Sequence, residues 1–227
     1  MQRRHALDRF RTADGHELAL WRRGNDFDIE IDGAELMSSR AHGSEEELAR
    51  LALAKLGPRQ APRVLVGGLG MGFTVRAALD ALADRPAARV DVAELFPAVV
   101  AWNRGELAAV ANHPLDDSRV TVIEADVADV VAAATGRYDA ILLDVDNGPE
   151  ALTLDSNRRL YTPAGLRRLA AALAPGGVLG VWSSDENPSF GRQLREAGFD
   201  VTTHAARGHR GRGARHVVFL ACCGAGR

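Results

Sequence analysis

The chain is poor in the features that mark secreted and membrane proteins. Its two cysteines, Cys222 and Cys223, are adjacent near the end of the sequence. Because neighbouring cysteines rarely bridge each other, they make no disulfide framework, and a reducing, cytoplasmic setting is expected. No apolar run is long enough to span a bilayer, and the basic N-terminal segment lacks the apolar core of a signal peptide.

An excess of one charge is missing as well. The 28 basic residues nearly balance the 30 Asp and Glu, and the net charge of −2 provides no field that attracts nucleic acid or a membrane surface. Residues 207–215 are rich in Gly and Arg but hold no aromatic residue, which favours a solvated hairpin tip over a phosphate-binding segment. The sequence also shows no metal-ligand spacing and no G-x-S-x-G nucleophile motif, so no metal is expected.

The middle of the chain carries the pattern of a nucleotide-binding βαβ unit. A short apolar strand at residues 64–66 leads into a glycine cluster, a periodic helix at 73–82 and a second strand at 89–92. The candidate cofactor-binding glycines are Gly67, Gly68, Gly70 and Gly72. Glycines let the backbone approach a ligand at a helix start, and Glu94 is placed to accept hydrogen bonds from ribose hydroxyls.

The glycine spacing distinguishes between nucleotide ligands. Glycines stand at every second position in Gly68-Leu69-Gly70-Met71-Gly72, whereas dinucleotide-binding turns have the pattern G-x-G-x-x-G. This spacing favours S-adenosylmethionine over NAD or FAD. The alternative is a sharp turn between strand and helix that binds no ligand.

The order of the predicted elements indicates the fold class. Strands alternate with helices after residue 44, which predicts a mostly parallel, Rossmann-like α/β sheet covered on both faces. The last two of its seven strands, at 199–203 and 216–221, are too close in sequence for a crossover helix and should form an antiparallel hairpin. Residues 1–43 are expected to be a small β-hairpin appendage, with strands between 17 and 37, ahead of a transferase domain at 44–227.

Local signals predict where the helices begin. Ser44 and Glu47 fit a capping box for a helix that runs to residue 56. Asp126, Thr162 and Asn187 stand at the predicted starts of three later helices. Because ligands of parallel sheets bind at the carboxyl ends of the strands, the glycine cluster, Glu94, Asp126 and Asp144 are expected on one rim.

Several segments resemble one family. GGLGMG, VAELFP, EADV and YDAILLDVDNGP, in this order, are similar to the spermidine synthase-like branch of the polyamine aminopropyltransferases. The resemblance implies the class I S-adenosylmethionine-dependent methyltransferase fold with a small N-terminal β domain. It also implies S-adenosylmethionine or its decarboxylated form as the cofactor, and a homodimer, since members of this family often dimerise.

The resemblance assigns roles to individual residues. Glu94 matches the ribose-binding acid, Asp126 matches the Asp that reads the adenine amino group, and Asp144 matches the catalytic Asp of the family's D-x-x-D-P segment. The second Asp of that segment falls at Asn147, with an acid one residue earlier at Asp146. The family's glycine turn, GGGDGG, also contains an Asp that pairs with the aminopropyl amine, and the turn here has no acidic residue.

These departures rank the candidate functions. Loss of the turn acid favours methyl transfer to a small-molecule nucleophile, an amine among the candidates. The alternatives are aminopropyl transfer to a polyamine, as in polyamine biosynthesis, and an adenosyl-ligand-binding protein without catalysis. Asp144 and Asp146 are the expected catalytic carboxylates. Tyr161 and Trp182 are the candidate contacts with the acceptor. Alternatively, Tyr161 packs at the entry to a helix, and Trp182 is a buried residue at the end of a strand.

Overall fold

The structure is a computed structural model that describes residues 3–145, 155–209 and 212–224. This part of the chain contains a four-stranded sheet followed by a seven-stranded sheet with helices on both faces. The observed architecture confirms the predicted α/β class.

The N-terminal sheet is an antiparallel meander in the order β1-β2-β3-β4. Its strands are β1 His5–Arg11, β2 Glu17–Arg23, β3 Asp26–Ile31 and β4 Ala34–Ser38. The sequence predicted the last three but missed β1, because HALDRFR is largely exposed and mostly polar. An edge strand of this kind is held by backbone pairing with its neighbour, which leaves no apolar periodicity to detect.

The seven-stranded sheet has the order β10-β11-β9-β8-β5-β6-β7. The strands are β5 Arg63–Gly67, β6 Arg89–Glu94, β7 Val120–Glu124, β8 Tyr138–Leu143, β9 Leu173–Ser183, β10 Phe199–His209 and β11 Arg212–Cys223. Strands β5 to β9 pair in parallel, whereas β11 pairs antiparallel with both β9 and β10. The expected terminal hairpin is therefore present. The strand order reverses between β5 and β8, because β6 and β7 lie on one side of β5 and β8 and β9 on the other, and such sheets bind ligands at this switch point.

Six α-helices lie in the described residues: α1 Gly43–Leu53, α2 Phe73–Ala81, α3 Pro97–Arg104, α4 Val127–Ala132, α5 Pro163–Ala172 and α6 Pro188–Glu196. Short 3-10 helices cover Pro114–Asp116 and Asp155–Leu160. None of the helices in the described ranges is both long enough and apolar enough to cross a membrane.

The buried apolar side chains form two clusters, one on each face of the large sheet. Helices α1, α2 and α3 cover one face, and α4, α5 and α6 contribute to the other. Strands β2 and β3 add Leu20 and Ile29 to the first cluster. The four-stranded sheet therefore shares a core with α1 to α3. The division at residue 43 remains a prediction.

Three of the four predicted N-caps are observed. The side chains of Asp126, Thr162 and Asn187 accept hydrogen bonds from the first turns of α4, α5 and α6. The capping box at Ser44 was wrong. Helix α1 begins at Gly43 and ends at Leu53, and the Ser44 hydroxyl donates to Glu45 Oε2 at 2.6 Å instead of capping the backbone.

The C-terminal hairpin is longer than its apolar sequence suggests. Residues 207–215 were expected to be a loop, but β10 continues to His209 and β11 begins at Arg212. Pairs such as Arg207 with Arg215 extend the ladder beyond the buried core. Backbone pairing needs no apolar side chain once the register of the neighbouring residues has been set. Hydrophobicity alone therefore predicted both strands of the hairpin to be shorter than they are.

Candidate active site

The glycine turn follows β5 and leads into α2. Gly68 has a φ of +87°, and a Cβ at this position would lie 2.3 Å from the carbonyl oxygen of Asp144. Any larger residue would therefore push the turn away from the end of β8. Gly72, with a φ of +84°, occupies the N-cap of α2. These backbone requirements explain two of the predicted glycines, and Gly68 and Gly70 line the cleft described below.

Glu94 ends β6 and holds the turn in place. Its Oε2 accepts a hydrogen bond from the Leu69 backbone N–H at 2.9 Å, and its Oε1 accepts one from Phe96 at 2.8 Å. The residue is only 6% exposed, and burial raises the pKa of the carboxyl against the opposing effect of these backbone donors. The backbone N–H groups of Leu95 and Gly70 also favour the charged carboxylate, so Glu94 is a firmly held acceptor in the cleft lining.

Asp126 stands at the start of α4, after β7. Its Oδ1 accepts from the Ala128 backbone N–H at 2.8 Å, and its Oδ2 forms an ion pair with Arg159 Nη2 at 2.8 Å. Arg159 also pairs with Asp129 and so ties the 3-10 helix Asp155–Leu160 to α4. Sequence reasoning did not identify Arg159, because its partners lie about thirty residues earlier in the chain.

Asp144 follows β8, next to the glycine turn. Its backbone N–H donates to Gly67 at 2.9 Å, and the Thr74 hydroxyl donates to its Oδ2 at 2.5 Å. Burial raises the pKa of the Asp144 carboxyl to about 6, although the Thr74 hydrogen bond favours the charged form. The side chain is thus a desolvated carboxyl with a pKa close to neutral pH, which suits proton transfer.

A single cleft brings these elements together. It contains about 970 Å³ of empty space, part of which is open to solvent, and lies over the carboxyl ends of the parallel strands. The predicted residues that line it are Gly68, Gly70, Glu94, Asp126, Asp144 and Trp182. Leu18, Ile29, Leu36 and Met37 of the N-terminal sheet close it from the other side. The cleft therefore needs both sheets to be complete.

Tyr161 does not line this cleft. Tyr161 is buried against Phe190, with the ring centroids 5.6 Å apart, and lines a separate small pocket with Asn187. Its predicted contact with the acceptor stays a prediction. Asp146 lies outside the described residues.

Known proteins share this architecture. No protein-family model matches the sequence, and no curated protein is similar to it in sequence. A spermidine synthase from Thermotoga maritima is similar in structure, with a TM-score of 0.75 and 17% identity over 97% of this chain and 74% of that chain. A spermidine synthase in complex with the transition-state analogue AdoDATO gives 0.74 and 17% over 97% and 73%. This chain has the spermidine synthase-like form of the class I methyltransferase fold.

Methyltransferases match a smaller share of this spermidine synthase-like fold. The 1,6-didemethyltoxoflavin-N1-methyltransferase of Burkholderia thailandensis, solved with S-adenosylhomocysteine, has a TM-score of 0.56 and 17% identity over 80% of this chain and 78% of its own. A match over 97% of the chain must include most of the N-terminal sheet, whereas a match over 80% need not.

Helix α1 also contributes to this cleft a carboxyl group that sequence analysis did not single out. Glu45 lines the cleft and is 7% exposed. Burial, followed by the nearby charge of Asp144, raises the pKa of Glu45 to about 7. A signal was available, because Glu45 shares the helix face of Leu48, Ala49 and Ala52, all of which are buried.

Met37 of β4 occupies the space beside the glycine turn. Its Sδ accepts a hydrogen bond from the Met71 backbone N–H at 3.2 Å. A Cβ at Gly70 would lie 2.9 Å from the same sulfur. Met71 itself is fully buried. The turn therefore presents no acidic side chain to the cleft, and a thioether packs against it.

The two cleft carboxyls should make the stability of the ligand-free protein depend on pH. Both pKa values are raised in the folded state, so the folded protein binds more protons than the unfolded chain above about pH 4. We expect the free energy of unfolding to fall by about 5 kcal/mol between pH 4 and pH 8 on account of these two groups. Denaturant unfolding of the wild type and of the Glu45→Gln, Asp144→Asn double variant would measure this difference. Parallel pH profiles for the two proteins would contradict it.

Proposed function

We propose that the protein is an S-adenosylmethionine-dependent transferase that moves a methyl group to a small-molecule nucleophile. The observation that carries this proposal is the convergence of the glycine turn, Glu94, Asp126 and Asp144 on one cleft. These groups come from four separate strand ends, and each suits a different part of an adenosyl ligand. The likeness to proteins solved with AdoDATO or S-adenosylhomocysteine supports the same ligand class.

The residues fit the cofactor in a consistent order. Gly68 and Gly70 line the cleft and have no side chain where the ligand chain would pass. A side chain at either position would also collide with Asp144 or Met37. Glu94 would accept from the ribose hydroxyls, and Asp126 would accept from the adenine amino group. Arg159 fixes the Asp126 carboxylate in one orientation for this contact.

The chemistry requires little beyond orientation and one proton acceptor. When bound, the sulfonium of the cofactor supplies an activated leaving group, and holding the nucleophile in line with the attacked carbon provides much of the rate. An amine nucleophile with a pKa near 10 must lose a proton first, which costs roughly 4 kcal/mol at pH 7. We assign Asp144 as the acceptor of that proton, and the hydrogen bond from Thr74 supports this role by orienting its carboxyl.

The choice of methyl transfer rests on the glycine turn. Aminopropyl transfer needs a partner for the amine of the decarboxylated cofactor, and the turn offers none beside Met37. A second candidate is aminopropyl transfer itself, and one observation favours it. Glu45 brings a carboxyl from α1 close enough to Asp144 for their charges to interact, so an acid is present near the turn without belonging to it.

Paired calorimetric titrations with S-adenosylmethionine and with its decarboxylated form would test the cofactor. We expect both to bind, with the carboxylated form tighter. Incubation with pooled amine, hydroxyl and carboxylate acceptors would then identify the reaction from the spent cofactor. S-adenosylhomocysteine would indicate methyl transfer, and methylthioadenosine would indicate aminopropyl transfer. If neither cofactor binds, the proposal fails.

A further inference from the structure

Two carboxyl groups in the cleft, those of Glu45 and Asp144, are hydrogen-bonded by side-chain hydroxyls. Among the described residues, no Arg or Lys forms an ion pair with either group, and their hydroxyl donors are Ser44 and Thr74. Glu94 also lines the cleft without an ion pair in the described residues, but backbone N–H groups donate to both of its oxygens. Asp126 pairs with Arg159, and Glu46 on the next turn position of α1 lies 2.9 Å from His42. Glu45 alone on α1 turns its carboxyl towards the cleft.

We infer that Glu45 and Asp144 together bind one ammonium group of a ligand, with Glu45 replacing the acid that the glycine turn lacks. This inference rests on the proposed function, since it names the chemistry that the cleft accepts beside the adenosyl group. It makes Glu45 a binding residue. Glu45 is the residue through which α1 lines the cleft.

An ammonium ion suits the pair for electrostatic reasons. Two neighbouring carboxylates in a desolvated cleft cannot both remain charged without a cation, so the ligand-free pair retains a proton near neutral pH. His42, just before α1, is a further titratable group that acts on Glu45, and it opposes the rise in the Glu45 pKa. A bound ammonium ion supplies the missing positive charge, and the retained proton leaves to solvent.

The remaining walls of the cleft agree with a ligand of this kind. The Trp182 ring lines the cleft on the β9 side, and aromatic faces attract alkylammonium groups. Leu18, Ile29 and Leu36 provide apolar contacts for a short carbon chain. A carboxyl pair at the end of an apolar slot selects a basic nitrogen on an aliphatic chain rather than a free inorganic cation.

The ammonium group has two possible sources with the same chemistry. It belongs either to the amino-acid or aminopropyl chain of the cofactor or to the acceptor. The amine-bearing cofactors separate them, because their affinity depends on Glu45 only if the ammonium group is their own. Methylthioadenosine, which has the adenosyl group and the sulfur but no aliphatic amine, is the reference ligand.

The test compares Glu45→Gln with Glu47→Gln in the full-length protein. Glu47 lies on the same helix but pairs with Arg50 at the surface, so it controls for loss of a charge on α1. Calorimetry with S-adenosylmethionine, its decarboxylated form and methylthioadenosine, in buffers of different ionisation enthalpy, gives both affinity and proton release. We expect Glu45→Gln to weaken binding of the amine-bearing ligands about 10-fold to 100-fold and to leave methylthioadenosine unchanged. Proton release near pH 6.5 should also decrease.

Each other outcome has a definite meaning. If cofactor affinities stay unchanged but the KM of an amine acceptor rises, the ammonium group is that of the acceptor and the inference holds. Equal weakening of methylthioadenosine would overturn it, as would behaviour identical to Glu47→Gln both in every titration and in the KM of the amine acceptor. If no adenosyl compound binds the wild type, the proposed function fails. The pair is then tested alone with 1,3-diaminopropane, where unaltered proton release in Glu45→Gln refutes the ammonium site.

Discussion

Replacing Asp144 by Asn should reduce the transfer rate by about 100-fold or more while cofactor affinity stays within about three-fold. The amide oxygen of Asn can still accept the Thr74 hydrogen bond, so the turn and the end of β8 keep their geometry. An amide cannot take a proton from the nucleophile, which is the step assigned to Asp144. The variant also removes a carboxyl whose pKa is raised by burial, so it should unfold no more readily than the wild type at pH 8.

Formation of the spent cofactor under single-turnover conditions is the direct measurement, and calorimetry with the cofactor checks binding. Asp185→Asn is the matched control, because Asp185 follows β9 on the same rim but is exposed and does not line the cleft. Wild-type turnover in Asp144→Asn would remove this residue as the proton acceptor. If cofactor still bound, that result would point to a different base. Cofactor binding without any transfer by the wild type would instead favour an adenosyl-binding protein without catalysis.

Replacing Glu94 by Ala should have the largest effect on cofactor binding, roughly 100-fold or more in affinity. The change removes the acceptor proposed for the ribose hydroxyls. It also leaves the Leu69 and Phe96 backbone N–H groups without the carboxylate that now satisfies them. Because Leu69 belongs to the glycine turn, the turn itself should lose its anchor on β6. We expect a loss of about 2 kcal/mol in the free energy of unfolding as well.

Glu124→Ala separates the local role of Glu94 from the general effect of losing an acid on this rim. Glu124 pairs with Glu94 across β6 and β7, ends its own strand and is exposed. Calorimetry and denaturant unfolding of both variants should show a large change only for Glu94→Ala. Equal cofactor affinities in Glu94→Ala and the wild type would refute the ribose assignment, whatever the effect on stability.

Several local features of the fold were predictable because their causes are local. Strand β8 coincides with the apolar run of residues 138–143, since a continuous apolar run is favourable at the centre of a parallel sheet that is covered on both faces. Asp126, Thr162 and Asn187 cap their helices because each side-chain oxygen reaches a backbone N–H two or three residues later. The glycine turn follows the same logic, as Gly68 and Gly72 adopt backbone angles that other residues avoid.

Features with partners far along the chain were missed. Arg159 forms ion pairs with Asp126 and Asp129, which lie about thirty residues before it in the sequence. Strand β1 exists because β2 offers it an edge, and its own residues carry no apolar pattern. Met37 reaches Gly70 only because the N-terminal sheet packs over the glycine turn.

By itself, the amino-acid sequence predicted the α/β class, which the structure confirms, and it also predicted a rim of candidate residues and an adenosyl ligand. Those conclusions follow from periodicity, turn chemistry and spacing, which act over a few residues. Only the tertiary structure decided that Glu45 joins Asp144 in the cleft and that Met37 fills the place beside the turn. Burial and the proximity of charges set the pKa values of these carboxyls, and both depend on how α1 and the N-terminal sheet pack against the parallel strands.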